Sequence, residues 1–113
     1  MGGPQGRARA ALPVAQVLFT QPARADIAAA RDWYESQASG LGERFLSELD
    51  TIVERLASNG LQFPIILRDV RRARLHSFPY GLFFRVEPDA VMVIACFHAS
   101  RNPGQWQRRL QDR

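Results

Sequence analysis

The chain has no lysine: all 15 basic residues among its 113 are arginine. Arginine is always charged and offers a planar fork that grips phosphate or carboxylate with two hydrogen bonds. A GC-rich coding sequence would account for the preference. Even so, 15 basic against 11 acidic residues leave a formal net charge of +4, which calls for an acidic partner, either nucleic acid or acidic protein. Cysteine occurs once, as Cys96, so no internal disulfide can form and a cytosolic setting is expected. Inside an apolar strand pattern, Cys96 reads as a small buried hydrophobe rather than a nucleophile. No apolar run approaches the ~18 residues of a membrane span, so no membrane partner is expected. Residues 1–13 hold several glycines and prolines and two arginines but no apolar stretch of the signal-peptide kind. They read as a disordered leader ahead of a single domain over 14–113. Neither a cofactor nor a metal is expected.

Hydrophobic residues make up 46% of the chain, enough for a packed core. One domain of this size buries roughly two-thirds of its unfolded surface, so it can fold alone with little stability to spare. Residues 15–19 (AQVLF) suit a first strand. Pro22 then fits the first turn of a helix, and Ala23, Ile27, Ala30 and Tyr34 recur on one helical face. Asp26 reads as lying in the first turn of that helix, where negative charge complements the dipole. Gly40 is a break. Residues 41–58 predict a second helix with Leu41, Phe45, Leu49, Ile52 and Leu56 in a stripe. Asn59-Gly60 ends it, both residues tolerating a left-handed cap. Two helices with a short link predict an antiparallel hairpin.

The remainder reads as strands. A strand is predicted from residue 65 through 75, with Arg71, Ala73 and Leu75 on one face and Val70, Arg72 and Arg74 on the other. Residues 80–86 predict a strand with Leu82, Phe84 and Val86 inward. After a hairpin loop at 87–90, residues 91–98 are nearly all apolar, as in a central strand covered on both faces. Pro103 breaks the chain, and residues 105–110 predict a final helical turn. No repeats are present. The expectation is an α+β domain of order β-α-α-β-β-β, its helical hairpin packed on a small, mainly antiparallel sheet that the first strand closes.

This order coincides with a set of residues: Ala25-Asp26-Ile27 and Trp33-Tyr34, Leu41-Gly42 with Phe45 and Leu49, Val70-Arg71-Arg72 with Leu75, Phe78-Pro79-Tyr80, the aromatic strand Leu82-Phe83-Phe84-Arg85-Val86, then His98, Arg101, Pro103 and Trp106. Together they resemble the RelE/ParE toxins of bacterial type II toxin–antitoxin pairs. The resemblance implies a cognate antitoxin, a hetero-oligomer, and one of two activities. RelE-like members cleave mRNA on the ribosome; ParE-like members stall DNA gyrase. Cleavage needs a base, an acid and cations around the phosphorane. By resemblance, Arg72, Arg74, His98 and Arg101 would be the catalytic set. Against that, Gly81 stands where several RelE-like toxins carry an arginine, and Trp106 where they carry a tyrosine or similar group. An indole N–H does not exchange a proton near neutral pH, and arginine is a poor base. The ParE-like activity is therefore expected, with Arg71, Arg72, Arg74, Arg85, His98, Arg101 and Trp106 as partner-binding residues.

Overall fold

The computed structural model describes residues 15–100 and 103–111. In chain order they form β1 (Gln16–Phe19), α1 (Gln21–Gln37), α2 (Leu41–Asn59), a 3-10 turn (Gly60–Gln62), β2 (Ile65–Leu67), β3 (Val70–Arg74), β4 (Tyr80–Glu87), β5 (Ala90–His98) and α3 (Pro103–Gln111). The expected leader and Arg101 lie outside the described residues. Five strands make one sheet in the order β1-β5-β4-β3-β2. β1 runs parallel to β5, and the other pairings are antiparallel. The fold is α+β, with the α1–α2 hairpin on one face of a mostly antiparallel sheet.

Local chemistry starts each helix. The Thr20 hydroxyl accepts the Ala23 N–H at 3.2 Å, an N-cap of about 1 kcal/mol. Gly40 turns the chain into α2 with φ +88°, where a side chain would be strained. Glu35 then accepts the N–H groups of Gly40 and Gly42 at 3.0 and 2.9 Å, satisfying donors at the start of α2. The predicted faces are the buried ones: Ala23, Ala30 and Tyr34 from α1, and Phe45, Leu49, Ile52 and Leu56 from α2. Tyr34, Phe45, Phe78 and Tyr80 form an aromatic cluster with ring centroids 4.7 to 5.9 Å apart.

Both faces of the central strands are covered. Leu82, Phe84, Val91, Val93 and Cys96 face the hairpin. Val70, Phe83, Ile94, Ala95 and Leu110 form a second cluster on the opposite face, where α3 contributes Leu110. A bulge lets Ile94 and Ala95 point the same way. Phe83 pairs with Ala95 and Phe84 with Val93, so Ile94 is the additional residue and the alternation shifts by one.

Four details depart from the sequence-based expectations. The 65–75 strand is two: Arg68 and Asp69 make a turn, with Arg68 at φ +54°, and β2 folds back antiparallel on β3. The final helical turn is a nine-residue helix. Asp26 stands beyond the first turn of α1, and its carboxylate is engaged elsewhere, as described below. Gly60 adopts right-handed helical angles (φ −66°) rather than a left-handed cap. The residue passes close to β4, where a Cβ would lie 3.0 Å from Val86 Cγ2.

Candidate functional site

The sheet separates the residues that the sequence placed in one site. β3 pairs with β4 so that Arg72 lies opposite Phe83 and Arg74 opposite Gly81. Phe83 belongs to the cluster away from the hairpin, so Arg72 and Arg74 share the face opposite the hairpin. His98 pairs with Tyr80, and Tyr80 packs on Tyr34 and Phe45 of the hairpin. The imidazole sits edge-on to Tyr80 at 5.4 Å, on the other side of the sheet from the two arginines. Its Nδ1 accepts the Ser100 N–H at 3.2 Å, which leaves Nε2 to carry the proton in the neutral ring.

The remaining arginines divide by partner. Arg71 faces the hairpin side and donates from Nη1 to the carbonyls of Phe63 (2.6 Å) and Leu61 (3.3 Å), tying the connector to β3. Arg85 is 12% exposed and donates from Nε to Asp69 Oδ1 at 2.9 Å, across the β2–β3 turn. Its Nη1 is buried with no hydrogen-bond partner. Among the described residues, neither the Arg72 nor the Arg74 guanidinium donates to any acceptor. The Arg72 Nε is buried and unpaired, and burial, followed by the neighbouring Arg74 charge, lowers the Arg72 pKa. The strand positions flanking Arg72 and Arg74 on this face are Val70, Gly81 and Phe83. None carries a histidine, tyrosine or carboxylate. The side chain of Trp106 lies outside the described residues.

Three structural roles escaped the sequence reading. Asp26 Oδ2 accepts the Cys96 N–H at 3.0 Å where β1 has ended and the β5 edge is open. The same carboxylate takes Arg109 in a fork, Nη1 to Oδ2 at 3.0 Å and Nη2 to Oδ1 at 3.2 Å. The Arg109 guanidinium also covers the Phe97 ring at 4.8 Å. Glu48 accepts the N–H groups of His76 and Ser77, the latter at 2.7 Å, and so holds the β3–β4 turn. Gly81 is the third: a Cβ there would stand 3.2 Å from Arg72 Cγ and 3.4 Å from Cδ. The Arg72 stem occupies the room a side chain would need. An isolated glycine inside an aromatic strand was the available signal for such an approach.

On the helical side, a groove of about 410 Å³ runs between α1 and α2. Ile27, Leu46, Leu49 and Val53 line it, and Arg24, Arg31 and Asp50 stand at its rim.

A family model, the ParE toxin of the type II toxin–antitoxin system parDE, matches residues 17–103. The chain belongs to the ParE toxin family. The match runs from β1 to the start of α3 and takes in both sheet faces. The fold of this toxin is similar to the chromosomal ParDE system from P. aeruginosa, at 22% identity and TM-score 0.63, covering 77% of this chain and 98% of that one. It is also similar to the RelBE2 toxin–antitoxin complex from Mycobacterium tuberculosis, at 19% identity and TM-score 0.53, covering 75% of this chain and 98% of that one. At such identities the likeness is one of fold. No curated protein sequence matches. Among the described residues of the toxin, no helix is long and apolar enough to cross a membrane, and no cluster of His, Cys, Asp and Glu could hold a metal.

Proposed function

We propose that this ParE-family toxin acts in the cytoplasm by inhibiting DNA gyrase, not by cleaving mRNA, and that a cognate antitoxin neutralises it. One observation carries the choice: the sheet stands between Arg72 and Arg74 on one face and His98 on the other. A ribonuclease site needs proton-transfer groups and cations around one phosphate, within hydrogen-bond reach of it. Two arginines flanked by Val70, Gly81 and Phe83 stabilise charge but move no proton. A binding toxin needs only the arginines.

Two observations support the antitoxin. The similar P. aeruginosa and M. tuberculosis structures are a toxin–antitoxin system and complex. The apolar α1–α2 groove, with Arg24 and Arg31 at its rim, suits an amphipathic acidic segment that folds on binding.

The test is controlled induction of the toxin alone, with DNA and protein synthesis followed by pulse labelling, beside purified gyrase in a supercoiling assay. The expected result is an early fall in DNA synthesis and inhibited supercoiling. An early fall in protein synthesis, with cut transcripts that vanish in Arg72→Ala, would establish the ribosomal nuclease instead.

A further inference from the structure

We propose that Arg72, laid across Gly81 and flanked by Arg74, is a preorganised carboxylate seat for an extended acidic segment of a protein partner. This deepens the protein-target reading above and rests on it. Among the described residues, Arg72 and Arg74 bring two cations side by side on the face opposite the hairpin without an acceptor between them. By contrast Arg109 is matched by Asp26 and Arg71 by two carbonyls, and Arg85 bonds Asp69 through Nε although its Nη1 is buried and unpaired. The guanidiniums of Arg72 and Arg74 have no acceptor among the described residues, and the Arg72 Nε is out of water as well. That Nε–H is a buried donor without an acceptor, which is costly in the free protein, while the rest of the half-exposed Arg72 guanidinium and the exposed Arg74 are open to an incoming anion.

Gly81 makes the seat. With no side chain on β4 at that position, the aliphatic stem of Arg72 passes 3.2 to 3.4 Å from where a Gly81 Cβ would stand. Its rotamer freedom is spent during folding rather than during binding. The geometry also selects the occupant. Arg72 and Arg74 are two residues apart on one face of a strand, roughly 6.7 Å along it. Carboxylates two residues apart on an extended partner have the same spacing. Single-stranded nucleic acid would want an aromatic face for its bases. Among the described residues, Phe83 is 0% exposed and the Phe97 ring lies under Arg109. The apolar floor around them suits a segment that alternates acidic and apolar side chains.

The test follows the Arg72 Nε–H resonance of the full-length, isotope-labelled toxin, assigned by its loss in Arg72→Lys. It is titrated in parallel with the peptide Glu-Leu-Glu-Leu-Glu and with pentauridylate. The expected result is a saturable shift with the peptide, at least tenfold tighter than with pentauridylate. Peptide binding should weaken at least tenfold in Gly81→Val, where the stem is displaced, and several-fold in Arg74→Ala, which removes the second charge and leaves the Arg72 stem over Gly81. Equal or tighter binding of pentauridylate overturns the proposal in favour of nucleic acid. No shift with either ligand shows Arg72 to be a structural cation. Gyrase supercoiling is assayed with the same preparation. A toxin that binds the peptide but leaves gyrase untouched refutes the gyrase reading and keeps the seat.

Discussion

Glu35 links two helices through two backbone bonds, to Gly40 and Gly42. Those bonds, the Gly40 one first, hold its carboxyl below the ordinary value of 4.5. Because the folded pKa is the lower one, the contribution to stability is full above the ordinary value. It is lost as pH falls through the folded value. Glu35→Gln should therefore lower the melting temperature at neutral pH and flatten its decline on acidification. Thermal unfolding across the acid range checks this, and an unchanged acid limb would refute it. Gly42 is a separate case. A Cβ at that position would lie 2.9 Å from the Arg31 carbonyl oxygen, a backbone atom that cannot rotate away. Gly42→Ala should force α1 and α2 apart and cost about 1–3 kcal/mol, measured by denaturant unfolding. Cys96 is buried, and burial followed by the Asp26 charge pushes its thiol up to about 12. The thiol is therefore protonated at neutral pH. A disulfide reagent should label it only at the rate at which the protein opens, whereas rapid labelling of the native state would contradict the packing described.

At the scale of elements, α3 depends on its docking. Nine residues do not sustain a helix alone in water. Leu110 enters the second cluster, and Arg109 reaches round the sheet edge to Asp26. Asp26 in turn terminates the open edge of β5 through the Cys96 N–H. The two side chains are 31% and 15% exposed, so solvent screening reduces the value of the pair. Removing either partner should cost about 1–2 kcal/mol. Hydrogen exchange should show the loss concentrated in residues 103–111. The Asp26→Ala and Arg109→Ala effects should be strongly non-additive, since each removes the same contact. Additive effects would mean that α3 is held mainly by Leu110. Both hairpin helices are legible in the sequence because their apolar stripes repeat at the helical period. The β2–β3 turn is not. Arg68 and Asp69 carry no turn signal strong enough to break a run of strand-forming residues, and the reversal is held by Arg71, which ties the connector at Phe63 to β3, and by Arg85, which bonds Asp69 in the turn itself.

For the whole molecule, the sheet acts as a partition. His98→Ala should leave growth inhibition intact, because the ring packs against Tyr80 on the side away from the arginines. A loss of ~10²-fold, the usual cost of removing a proton-transfer group, would restore His98 to an acid–base role. The comparison is a dose–response of growth arrest, with melting temperatures as the control for folding.

The alternation along residues 70–75 by itself places Arg72 and Arg74 on one face and Arg71 on the other. Strand periodicity is a local property and survives in the sequence. Period and composition likewise determined the α+β class, the helical hairpin and the doubly covered central strand, while the residue motifs carried the likeness to RelE/ParE toxins. What none of these could determine was which face His98 shares. That depends on the register of β5 against β4 and on the bulge at Ile94, where one extra residue exchanges the two faces. Nor does periodicity pair residues 83 positions apart, as Asp26 and Arg109 are, or reveal that Gly81 makes room for an arginine stem. Local patterns follow from the chain's own geometry. The meeting of distant side chains follows from how the layers close, and only the tertiary structure decides that.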